Sequence, residues 1–145
     1  MLERPVVSPA NFANTAQCWD GNAMVGDFER LAQAFVDSAA ILAFRICGQQ
    51  DGRGRPQLRC RVSGSLLMEC QRCLQPVEVT VDSDRVLYLA GSEAEADRRE
   101  ATLADAGIEV MVVDRALDLA GVIEDEVLLS VPLVPRHPHC ELPPA

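Results

Sequence analysis

The chain has no lysine: all thirteen of its basic residues are arginine, set against twenty-two acidic residues, and the formal net charge is −9. An averaged field of that sign repels phosphate, whereas nucleic-acid modules usually carry a basic face. Aromatic side chains are equally scarce. One Trp, one Tyr and four Phe in 145 residues leave few platforms on which unpaired bases can stack. Histidine occurs only at His137 and His139, and no Gly-x-Ser-x-Gly pattern is present, so nothing argues for a hydrolase. No apolar run approaches the roughly 20 residues of a membrane span; AAILAF at 39–44 is typical. The opening MLERPVVSPANF puts Glu3 and Pro5 where a secretory signal needs a basic and then an apolar stretch, and the expected location is the cytoplasm. No small-molecule substrate is readable.

What is present is one domain's worth of chain, 48% hydrophobic and long enough to bury a core without staples. Residues 1–25, with Pro5, Pro9, Asn11, Asn14 and Gly21, lack periodicity and are expected to be an arm; 26–135 form the domain, and 136–145 a proline-rich extension. Phe28, Leu31, Ala32, Phe35 and Val36 recur at helical spacing behind Asp27, a candidate N-cap, which predicts a helix over 27–37. Segments 39–48, 56–69, 74–90 and 108–114 are β-rich, and Leu58, Cys60 and Val62 alternate with Arg59 and Arg61, which should face water. Residues 92–107 are acidic and alanine-rich, a solvated helix or loop. DLAGVIEDEVLLS predicts a helix over 118–130, capped by Asp118, with Leu119, Val122, Ile123 and Val127 inward. The expected class is α+β, an antiparallel sheet with two or three packed helices.

Two constellations could carry chemistry. CQRCLQP at 70–76 puts Cys70 and Cys73 between two predicted strands, where a C-x-x-C turn can present two sulfurs to one tetrahedral zinc ion. RHPHC at 136–140 offers Cys140 and either His137 or His139 to complete a Cys3His shell. A knuckle held by packing and backbone hydrogen bonds alone fits equally well. A redox pair fits less well, since its first cysteine usually sits at a helix N-terminus. Cys18, Cys47 and Cys60 read as small core residues. Adjacent acids on a helix point about 100° apart, so Glu124, Asp125 and Glu126 do not converge on a substrate and are expected on a solvated face that could meet a basic partner. Arg59, Arg61 and Arg72, expected together near the knuckle, form the competing candidate, a local patch for RNA phosphate.

CQRCLQPV at 70–77 together with VIEDEVLLSVPLVPRHPHC at 122–140 resembles the YceD family, the large ribosomal RNA subunit accumulation proteins of bacteria and plastids. The resemblance runs from about residue 26 to 140 and implies a cytoplasmic non-enzyme needed for synthesis, processing or stability of 23S ribosomal RNA. The family positions it implies are Cys70, Arg72, Cys73, Leu74 and Pro76, then Glu124, Asp125, Glu126, Pro132, Pro135, His137 and Cys140. Many relatives carry an Asn-Pro-Phe-like segment past the last cysteine, which ELPPA lacks. Ribosomal RNA and an acidic chain pull against each other. The expectation is therefore a basic ribosomal or assembly protein as direct partner, met through Arg72, Leu74, Pro76 and the acidic trio, with RNA affected indirectly.

Overall fold

The computed structural model describes residues 4–103, 109–113 and 115–138. Its centre is a five-stranded sheet in the order β2–β3–β4–β5–β6, built from Cys18–Met24, Ile41–Gln50, Pro56–Glu69, Pro76–Ala90 and Glu109–Val112. A short pair, β1 (Val6–Val7) and β7 (Leu117–Asp118), stands apart from it. The first three pairings of the sheet are antiparallel and β5–β6 is parallel. The expected α+β class with an antiparallel sheet holds except at one edge, where helix α3 (Glu93–Leu103) lies between β5 and β6 and carries the chain back to start a parallel neighbour.

One face of the sheet is the core face. Leu42, Phe44 and Ile46 of β3, Leu58, Cys60, Val62 and Leu66 of β4, and Val77 and Val81 of β5 are buried there, as the alternation requires. Helix α4 (Leu119–Ser130) covers them with Leu119, Val122, Ile123 and Val127, the four residues read as its inward stripe. Helix α2 is Glu29–Ala34, shorter than expected; Asp27 belongs to a preceding 3-10 turn, Val25–Asp27, and accepts from the Met24 amide. Its N-cap is Phe28, which offers no capping oxygen.

The N-terminal arm is part of the domain. Helix α1 (Pro9–Asn14) starts on Ser8, whose hydroxyl accepts from the Asn11 amide, and buries Phe12 and Ala13. Phe12 lies against β3 at Gly48, where any Cβ would collide with the Phe12 carbonyl. Strand β2 then adds a full edge to β3, and the register sets Cys18 opposite Cys47. Those two are joined in a disulfide, Cα–Cα 4.1 Å, with Cys18 exposed, so the expectation of core thiols holds only for Cys60.

Candidate functional site

Strands β4 and β5 form the longest pairing of the sheet, Gln57–Tyr88 through Glu69–Pro76, and the Cys70–Gln75 connection closes it. The Cys70 amide donates to the Gln75 carbonyl and the Leu74 amide to the Cys70 carbonyl, both at 2.9 Å, which fold the loop into a tight knuckle. The turn needs a left-handed residue, and Leu74 takes it with φ of 65°. The C-terminal segment returns to this loop after α4: the Gln71 amide donates to the carbonyl of the buried Pro135 at 2.9 Å. That contact delivers His137.

Cys70 is fully buried, while Cys73 and His137 are half-buried, and their three ligand atoms lie within 4.8 Å of one another. Nε2 of His137 stands 2.8 Å from the Pro76 carbonyl oxygen. A carbonyl only accepts, so Nε2 carries the hydrogen, and in the neutral ring Nδ1 presents its lone pair to Cys73 Sγ at 3.5 Å. The bond to Pro76, and a second to Cys70, hold the imidazole pKa above its ordinary value. The arrangement can hold a soft metal ion; it lacks the helix N-terminus that would activate a redox thiol. His139 and Cys140, the other metal candidates, lie outside the described residues.

Three further expectations meet the structure differently. Arg72, Leu74 and Pro76 are all exposed on the knuckle, as a contact surface needs, and Leu133 and Val134, just ahead of Pro135, add exposed apolar area. The acidic trio is not a solvated face. Glu124 is 1% and Glu126 2% exposed, because α4 is wedged between the sheet on one side and α2 and the N-terminal arm on the other. Glu124 accepts from the Arg30 amide at 2.8 Å, supplying α2 with the N-terminal cap that Phe28 cannot, and from Arg4 at 3.0 Å. Glu126 lies near Ser83 and Arg85, each at 3.5 Å, and burial pushes its carboxyl above the ordinary range. Only Asp125 is exposed, paired with Arg30 at 2.6 Å.

The expected Arg patch is also divided. Arg59 and Arg61 lie on the open face of the sheet, exposed as expected, but Arg59 is bidentate to Asp84 at 3.0 and 2.8 Å and Arg61 is 3.4 Å from the same carboxylate. Arg72 is not beside them, since β4 runs on from Arg61 to Glu69 over roughly 25 Å at about 3.3 Å per residue before the knuckle begins. A cleft of about 530 Å³ lies at the other end of β5, between α1 and Leu89–Gly91. Its acid, Glu95, is already used by the Gly91 amide.

The knuckle, the segment folded onto it and the buried carboxylates of α4 all fall inside residues 58–145, which match the family described as large ribosomal RNA subunit accumulation protein YceD. The chain belongs to the YceD family. A relative of that name from Haemophilus influenzae is 28% identical over 142 residues, covering 94% of this chain and 78% of its own length. No solved structure matches. Among the described residues no helix is long and apolar enough to cross a membrane. The YceD match begins within β4, so β1, α1, β2 and the disulfide lie ahead of the family segment.

Sequence reasoning missed Glu124 and Glu126 as buried anchors and the pairing of Cys18 with Cys47. The signal for the first was present: DLAGVIEDEVLLS has scarcely a polar residue besides its acids, the composition of a helix buried on several sides.

Proposed function

We propose that this YceD-family chain acts in the cytoplasm to support accumulation of 23S ribosomal RNA, by holding a basic protein of the ribosome assembly pathway against its knuckle. The observation that carries the reading is Leu74. It is an apolar side chain, 64% exposed, in a left-handed conformation that glycine would adopt at no cost. A branched residue there costs about 1–2 kcal/mol, and such strain is kept where a side chain has work to do.

Arg72 and Pro76 flank Leu74, and Leu133 and Val134 extend the apolar area, the pattern of a small contact centre. The exposed acids Glu69 and Glu78 on the strands flanking the loop are matched in number by the exposed Arg72 and Arg136, so attraction for a basic partner comes from the whole-chain charge of −9. Direct RNA contact is the weaker reading, because Arg59 and Arg61 are both already engaged by Asp84, and five of the six aromatic side chains, Phe12, Phe28, Phe35, Phe44 and Tyr88, are buried. Trp19 is half-buried against Phe44.

The test is a crosslinking pull-down from cells, with and without nuclease, using the wild type and Leu74→Gly. Partners should survive nuclease, bind more slowly as salt rises, and be depleted with Leu74→Gly. If they vanish with nuclease and ribosomal RNA crosslinks to the protein, the contact is RNA and Arg59 and Arg61 become the residues to change.

A further inference from the structure

The geometry points to a zinc site in the knuckle, formed by Cys70 Sγ, Cys73 Sγ and His137 Nδ1. The dimensions are those of a metal shell. With Zn–S near 2.3 Å and Zn–N near 2.1 Å, two tetrahedral ligands stand about 3.6 Å apart, and Cys73 Sγ and His137 Nδ1 are 3.5 Å apart. All three donor atoms fit within 4.8 Å. The tight turn brings the two sulfurs to one side of the loop, and its left-handed residue at Leu74 lets the chain leave into β5 immediately after the second cysteine.

His137 adds an independent observation. Its outer nitrogen is committed to the Pro76 carbonyl, which fixes both the tautomer and the ring plane and leaves Nδ1 aimed at the sulfurs. Metal-binding histidines are commonly oriented in this way. The ligand that brings the two segments together is thus positioned by Pro76, the first residue of β5 after the loop it would join. Two thiolates and an imidazole select zinc over magnesium or calcium, which prefer oxygen. Binding displaces the proton of each thiol, and any proton on Nδ1, to solvent. The fourth position falls to solvent or to one further side chain.

The ion would fasten the C-terminal segment, which carries the exposed Leu133 and Val134, to the β4–β5 loop that carries Leu74. That purpose rests on the proposed partner surface, but the site itself rests on geometry, and the two fail separately: a chain without metal can still be tested for its partner.

The experiment is cobalt titration of the reduced, chelator-stripped wild-type protein, followed optically. A tetrahedral spectrum with a thiolate charge-transfer band, saturating at about one equivalent and displaced by zinc, is expected. In Cys73→Ser the thiolate band should fall to half or less; Cys18→Ala/Cys47→Ala should keep it whole. A wild type whose circular dichroism shows it folded, yet which gives only the weak spectrum of octahedral aqueous cobalt, overturns the site. So does a band that follows Cys18 and Cys47 in place of Cys73. Because the wild type alone decides, a Cys73→Ser chain that failed to fold would not leave the question open.

Discussion

Two polar clusters stand out in this protein, the Glu124 network and the knuckle, and they differ in what their polar atoms still have to do. Glu124 is sealed in, and both its oxygens are taken, one by Arg4 and the other by the Arg30 amide. The knuckle is only partly covered, its donor atoms lie within 4.8 Å of one another, and the segments that form it carry the exposed apolar side chains Leu74, Leu133 and Val134. Saturated burial is the mark of a fastening. Glu124 fastens the N-terminal arm and α2 to α4, whereas the knuckle has convergent ligands and a strained, exposed leucine that the fold does not require.

The sharpest way to break this contrast is to remove the fastening. Glu124→Ala deletes charge-assisted hydrogen bonds to two elements at once and should cost about 2–4 kcal/mol, read as a lower midpoint in urea denaturation. A change within about 0.5 kcal/mol would mean the trio is the surface it resembles in sequence. Next in size is the metal: with zinc present, His137→Gln should lower Tm by several degrees relative to wild type, and chelator should erase most of the difference, because structural metal binding is folding free energy.

Glu126 gives a signed pH test. Burial raises its folded pKa, so its contribution to stability is full below the unfolded value of about 4.3 and is lost as pH rises through the raised folded value. Glu126→Gln removes that loss. The stability difference should therefore shift steadily in favour of the variant from about pH 4 toward neutrality, and parallel Tm–pH curves would contradict it. Smallest of all is Asp125→Asn. This exposed ion pair with Arg30 should be worth no more than about 1 kcal/mol, declining with salt.

The sequence was most legible where one face of a strand is core and the other water. The 56–69 segment alternates in that way and its bounds coincide with β4. Strand β2 hides because CWDGNAM is an edge strand with little burial, only Ala23 being buried; its conformation comes from pairing with β3, which no local pattern records. With β2 unseen, the register that sets Cys18 against Cys47 was invisible too. Wherever cellular reductants reach it that pair is expected to be largely reduced, and thiol counting under native conditions with and without reductant would show its state. At the knuckle, Cys70 and Cys73 were readable from spacing. The choice of His137 depends on Pro135 meeting the Gln71 amide, a contact between segments more than sixty residues apart.

Leu74→Gly tests the central claim most directly, because it deletes the exposed side chain while relieving the backbone that carries it. The measurement is the ratio of 23S to 16S ribosomal RNA in cells depending on the variant, beside Arg59→Ala/Arg61→Ala and with Tm taken on each purified protein. The account predicts a Leu74→Gly protein at least as stable as wild type and a lowered ratio, with the double Arg variant near normal. A normal ratio with Leu74→Gly, and a lowered one with the Arg variant, would contradict it and move the functional surface from the knuckle to the open face of the sheet.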